Sequence, residues 1–275
     1  MGDTLATPNA TLTYVFCVVA SKRHPVLIPG LKGPAGLGPV RLLPVDGRAD
    51  RTGRAGGRSV GLWLAVADAP TAGFGETAIN DRLHDLDWIA SAAVAHERVV
   101  ESFGSAEGVL PLKLLSIFKT DHRALADVRH RRSSIEGLFE RVMGHDEWGI
   151  RVMRDREQKR RPALRSAGAV SGARYLAAKK AQRAAEAGAR KGSARAMEAL
   201  YDRLAGDASE AVRRPADRLS ERSGSLLLDA AFLVSRRRAK RFQSIVAHEA
   251  RRLSALACHV TLSGPWPPYS FMEES

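Results

Sequence analysis

Cysteine, long apolar runs and recognisable catalytic motifs are what this 275-residue chain has least of. It holds two cysteines, Cys17 and Cys258. Two thiols cannot build a disulfide framework or a zinc ribbon. No apolar run reaches the roughly 18–20 residues that a membrane-spanning helix needs. The nearest approach, residues 226–234, is short and interrupted by Asp229. The apolar stretch 14–20 does not fit a secretory signal, because the residues before it carry Asp3 and neither Lys nor Arg. The expectation is a soluble, reduced, cytoplasmic protein. Apolar residues make up 44% and charged residues 27%, an ordinary globular balance that argues against disorder throughout. At 29.8 kDa the length suits two domains or one large one.

No constellation of catalytic residues emerges. The glycines Gly30, Gly33, Gly36 and Gly38 are interleaved with Pro29, Pro34 and Pro39, and no helix is expected to start after them. Such a loop lacks the amide cluster that holds a pyrophosphate. His96-Glu97 and His248-Glu249 each lack the second His one turn on that a zinc-protease helix requires. His84, Asp85 and Asp87 point apart on a helix and suit a solvated first turn. His145, Asp146 and Glu147 fall at a helix-to-strand junction, where polar turn residues are expected. Cys17 and Cys258 lie in apolar strands and read as small buried residues. No cofactor and no metal site is expected.

Charge is unevenly spread. Residues 1–150 hold 17 Lys or Arg and 17 Asp or Glu, whereas residues 151–275 hold 26 and 13. The formal net charge of +13 therefore sits in the second part. Such asymmetry points to an anionic partner, nucleic acid first, or to a solvated basic surface. Residues 154–174 are rich in Arg but carry no aromatic residue to stack on a base. The RNA-recognition signature is missing, and so is zinc-finger spacing. Arg236, Arg237, Arg238, Lys240 and Arg241 open a helix and could grip phosphates. A nucleic-acid-binding protein using the basic half stays as the alternative reading.

Periodicity divides the chain in two. Residues 1–11 read as a tail. Strands are expected at 13–20, at 61–68, over 109–118 and, short, at 40–45. A helix from about Asp81, capped by Asp81 or Asn80, is expected to turn Leu83, Leu86, Ile89, Ala93, Val94 and Val100 inward and to end at Gly104. A second helix, 121–143, presents Leu125, Val128, Ile135, Leu138, Phe139 and Val142, and Gly144 stops it. The second unit opens with a strand at 147–153 and a basic loop over 154–166. An Ala-rich helix follows at 175–204, then a break at Pro215 and a strand at 226–234. A helix at 236–256 is expected to face Phe242, Ile245, Val246, Leu253 and Leu256 inward, ahead of a last strand at 257–263. This order predicts an α+β fold of two domains, each a mostly antiparallel sheet covered by helices, over residues 1–145 and 146–275.

The string LSGPWPPYSF at 262–271 resembles the hallmark of the gas vesicle proteins of the GvpL/GvpF family. Other blocks agree in order. Tyr14-Val15 resembles the family's first strand, and WIASAAVAHERVVE at 88–101 its A-H-E-x-V helix. VLPLK at 109–113, EWGIRV at 147–152 and AFLV at 231–234 resemble further family blocks. GARYL at 172–176, with Lys179 or Lys180, is similar to G-x-x-Y-L-x-x-[KR]. Two departures stand out. Leu114-Leu115-Ser116 replaces the family's usual F-G-T, and residues 30–60 are longer and richer in Gly and Arg. The resemblance implies a non-enzymatic accessory protein of gas vesicle assembly in the cytoplasm. Its implied partners are the shell protein GvpA and other accessory Gvp proteins, with no specific nucleic acid and no membrane. The resemblance also implies that the second domain is ferredoxin-like.

A shell protein whose wall excludes water carries an apolar face that aggregates if left exposed. A partner for it needs apolar and aromatic surface, or a free sheet edge. The candidate for such a surface is the motif Gly264, Pro265, Trp266, Pro267, Pro268, Tyr269 and Phe271. In one reading the prolines fix an extended corner and Trp266 braces the fold. In the other, Trp266, Tyr269 and Phe271 form an aromatic docking site. An extended segment would set Tyr269 and Phe271 on the same side.

Overall fold

The computed structural model describes residues 11–46, 60–154, 172–215 and 225–272. The expected N-terminal tail and nearly all of the basic loop at 154–166 lie outside the described residues. By contacts the chain forms two compact units, Met1–Gly144 with Trp266–Ser275, and His145–Pro265. The expected division kept 146–275 together. In the structure the stretch from Trp266 counts with the first unit.

The first unit is built on β1 (Thr11–Ser21), β2 (Val40–Pro44), β3 (Gly61–Pro70), β4 (Gly108–Pro111) and β5 (Ile117–Phe118). Sheet order is β2-β3-β1-β4, with β5 also pairing β1, and each of these pairs runs antiparallel. Strand β1 is rich in β-branched and aromatic residues and is buried without a break from Thr13 to Ala20. That continuous run is what a central strand covered on both faces requires. Tyr14, Phe16, Phe74, Val99, Val100 and Phe103 form the core around it.

Helices α1 (Thr71–Phe74), α2 (Glu76–Arg82) and α3 (Leu86–Glu101) replace the single helix expected from Asp81. Asp81 and Asn80 lie inside α2, and the cap of α3 is Asp85, which accepts from the N–H groups of Asp87 (3.1 Å) and Trp88 (3.0 Å). The inward face differs too. Val100 is buried as expected, but its buried companions are Ala92, His96 and Val99, whereas Leu86 is 78% and Val94 53% exposed. Alanines and valines run along two sides of this helix, so apolar periodicity alone selects the wrong one. The helix expected over 121–143 is broken at Arg131 into α4 (Asp121–His130) and α5 (Arg132–Val142). Val128, Ile135, Phe139 and Val142 face inward as expected, and Gly144 follows with φ 74°.

The second unit runs β6 (His145–Arg154), α6 (Gly172–Ala205), β7 (Glu210–Arg213), β8 (Ser225–Ser235), α7 (Ala239–Ser254) and β9 (Cys258–Trp266). Its sheet order is β7-β8-β6-β9. A βαββαβ order with this arrangement is compatible with a ferredoxin-like unit. Trp148, Ile150, Phe232 and Phe242 meet Leu200 and Leu204 in its core. Strand β7 carried no signal: it has four residues, charged at both ends and only half buried inside. Leu256, expected to face inward, is exposed because α7 ends at Ser254. The α+β class with two antiparallel sheets and covering helices is as the sequence predicts.

Candidate protein-interaction site

Segments far apart in sequence meet at three places. In the second unit, β6 and β9 approach closely at two glycines. A Cβ on Gly149 would lie 2.6 Å from Ser263 Oγ, and one on Gly264 would lie 2.7 Å from the Glu147 carbonyl oxygen. Gly264 also has φ 119°, a region that disfavours any side chain. The EWG block and the SGP block therefore contain glycine because they pack on each other. The peptide between Gly264 and Pro265 is cis.

In the first unit, helix α3 sends its two signature side chains to two strand-derived partners. The buried His96 ring lies against Tyr14 and Phe16, and its Nδ1 is 2.8 Å from the Tyr14 hydroxyl. The Leu115 N–H donates to the same hydroxyl oxygen (3.3 Å). Burial pushes His96 down to about 4 and Tyr14 up to about 12, so both groups stay neutral over a wide range. Glu97, the next residue, accepts a hydrogen bond from the Tyr269 hydroxyl. Burial, and after it the Glu97 carboxylate, hold the Tyr269 phenol well above its ordinary value.

Beyond Pro267 the chain forms a 3-10 turn, Tyr269–Phe271, rather than an extended segment. Tyr269 and Phe271 are thereby split. Phe271 is 4% exposed, while Tyr269 is 37% and Trp266 38% exposed. Pro268 is buried and Pro267 half-buried. The expectation that Tyr269 and Phe271 share a side fails on the turn, and the bracing reading suits Phe271 better than Trp266.

The third meeting is a groove of about 480 Å³ in the first unit. Leu110, Pro111 and Leu112 line it from β4 onward, Ile135 and Leu138 from α5, and Tyr269 and Met272 from the tail. Its lining is apolar except at Ser116, Lys113 and Arg131, and Arg131 is held by Asp127 (3.1 Å). The VLPLK block and the tail motif are thus neighbours in space, although about 150 residues separate them in sequence. No single segment announces this groove. It arises from β4, α5 and the tail together.

The other candidate residues take structural places. His145 Nε2 is 2.9 Å from Ser209 Oγ, Asp146 pairs with Arg236 (3.0 Å), and Glu147 pairs with Arg214. Glu249 is buried and pairs with Arg252 (2.8 Å) and Arg203 (3.2 Å). Gly33 packs on the Phe16 ring, where a Cβ would come within 2.6 Å, and strand β2 rather than a helix follows the glycine loop. Both cysteines are buried and free. Among the described residues no group of three His, Cys, Asp or Glu could hold a metal, and no helix is long and apolar enough to cross a membrane. Sequence reasoning missed the cluster in which Arg41 bridges Asp121 (2.6 Å) and Asp68 (2.5 Å) while the Thr13 hydroxyl donates to Asp121 (2.7 Å). Its members are 27 to 108 residues apart, so no local pattern marks it.

The family model described as gas vesicle synthesis protein GvpL/GvpF matches residues 12–273. The chain belongs to the GvpL/GvpF family. Gas vesicle protein L of Streptomyces sp. (strain CB03234) is 35% identical over 221 residues, covering 76% of this chain and 79% of that protein. Two crystal structures share the GvpL/GvpF fold. GvpF from Anabaena sp. PCC7120 aligns with a TM-score of 0.64 at 15% identity, over 96% of this chain and 97% of that one. GvpF from Microcystis aeruginosa gives 0.60 at 15% identity, over 96% and 99%.

Proposed function

We propose that this GvpL/GvpF-family chain is a non-catalytic accessory factor of gas vesicle assembly. It binds the shell protein GvpA and other accessory Gvp proteins in the cytoplasm and associates with the growing vesicle. The observation that carries the binding-site assignment is the apolar groove between Pro111, Leu112, Ile135, Leu138 and Tyr269. An apolar concave strip with few charges suits an apolar segment of a shell subunit that water would otherwise make aggregate. In the motif, Gly264, Pro265 and Pro267 fix the chain path. Pro268 and Phe271 anchor the turn, and Tyr269 forms a groove wall. Trp266 adds exposed aromatic surface of the kind that dominates interface energetics.

The absence of catalysis rests on the engaged state of the titratable groups. His96, Glu97, Glu147 and Glu249 are each committed to a structural partner. The basic surface is partly neutralised as well. Arg151, Arg213, Arg236 and Arg241 each pair with a carboxylate of the second unit.

Purified chain is to be tested in pull-downs against each protein of its own gas vesicle cluster. Capture of GvpA or an accessory Gvp protein is expected. Leu138→Arg, at a half-buried groove position, should lower that capture at least about tenfold, the loss of a central contact, while the melting midpoint moves little. Undiminished capture by the variant removes the groove from the account. Tight, sequence-selective nucleic-acid binding at physiological salt, with no Gvp captured, overturns the proposal in favour of the nucleic-acid reading.

A further inference from the structure

Helix α3 has two apolar faces and uses only one. Ala92, His96, Val99 and Val100 face the core of its own unit. On the opposite side Leu86, Ala90 and Val94 succeed one another at four-residue spacing, all exposed, with Ala93 beside them and the exposed Leu83 just ahead of the helix. Four-residue spacing puts these side chains in one lane along the helix. The surroundings are acidic. Residues 76–101 carry six Asp or Glu and two Lys or Arg.

Helix α6 shows the converse. Every described side chain from Leu176 to Gly192 is exposed, and core packing begins at Ala196 and Met197. This stretch is Ala-rich, has the exposed Leu176 at its start, and carries Lys180, Arg183 and Lys191 on its surface. Residues 172–195 hold seven Lys or Arg and one Glu. Over about 25 Å its described side chains stay exposed, so this part of the helix draws little stability from core packing. The exposed lane, Leu86 to Val94, spans about 12 Å of a 16-residue helix about 24 Å long, so it is the two helices that match in length as well as in charge.

We infer that the exposed face of α3 is the docking site for the basic, exposed stretch of α6 from a second copy of this chain. The two faces differ, so the contact is heterologous: each copy offers one α3 and one α6, and association runs head to tail. Opposite charges on matched helices select the partner and its direction, and the Leu86–Val94 lane supplies the apolar contact. One helix pair buries less than the roughly 1,200 Å² of a standard interface, which places the contact among weak, transient ones, and an affinity on the order of 10 μM is expected. This inference does not rest on the groove or on any Gvp partner.

Sedimentation velocity on the nuclease-treated full chain, over a concentration series, tests it. The expected result is reversible growth beyond the monomer, weakened at least about tenfold when salt rises from about 0.05 to 0.5 M. The double variants Leu86→Arg/Val94→Arg and Lys180→Glu/Arg183→Glu alter exposed positions, and circular dichroism verifies that each still folds. Each alone should lose self-association at least about tenfold. Mixed together they should form a 1:1 dimer that grows no further, because each retains one intact face and the pair makes a single wild-type contact. A wild-type chain that stays monomeric at about 500 μM and low salt overturns the inference, since a contact of 10 μM would be nearly saturated. So does an α6 double variant that associates like wild type, which would mean an α3-to-α3 contact or another surface. Mixing that fails to restore a dimer also overturns it.

Discussion

At the residue scale, the Tyr14–His96 pair sets limits on stability at both ends of the pH range. His96 has its folded value lowered to about 4 from 6.5 by burial, so the unfolded chain takes up the proton first as pH falls. Its contribution is complete above about pH 6.5 and declines as pH drops toward 4, by roughly 2–3 kcal/mol. Tyr14 is raised from 10.0 to about 12, so the unfolded chain loses the phenol proton first and stability declines between these values. Urea denaturation at a series of pH values should show the acid decline flattened in His96→Gln. An identical acid limb in that variant would mean that other groups cause it. Leu115 gives a second test. It holds φ 64°, a left-handed conformation that glycine adopts without strain. Leu115→Ala and Leu115→Gly lose the same packing, but only glycine relieves the backbone. The Gly variant should be the more stable of the two by about 1 kcal/mol, the reverse of their order in a helix. The tail supplies a third. Phe271→Ala should cost about 3–5 kcal/mol, as for a buried aromatic, and Trp266→Ala, about a third exposed, far less. Comparable losses in melting midpoint for the two would return Trp266 to the role of a brace.

At the scale of elements, what the sequence revealed depends on how local the cause is. Strand β1 was legible because eight consecutive buried residues are enriched in β-branched and aromatic types. The close approach of β6 and β9 was not, because a glycine's reason is the atom opposite it, and Glu147 lies 117 residues from Gly264. Helix α3 was found, but its face was misassigned. Its cap at Asp85 and a second apolar lane shift the inward side, and burial rather than periodicity decides between the lanes. Three prolines favour an extended path for the tail. The 3-10 turn over Tyr269–Phe271 is held by tertiary anchors, Phe271 in the core and Tyr269 on Glu97, which a local rule does not contain. The candidate site was half legible. Every motif that lines the groove was visible as a block, and their convergence was not.

At the scale of the whole molecule, the function proposed above assigns the +13 charge to keeping the chain dissolved and the apolar groove to holding a partner. Its membership of the GvpL/GvpF family links that ability to gas vesicles. The most direct measurement of the central claim is electron microscopy, with a flotation assay, of cells in which the gene is deleted and then restored. The deletion is expected to remove normal-sized vesicles and buoyancy while growth continues, and the restored gene to bring both back. Full-sized vesicles and unaltered flotation in the deletion strain, with no paralogue present, would contradict it.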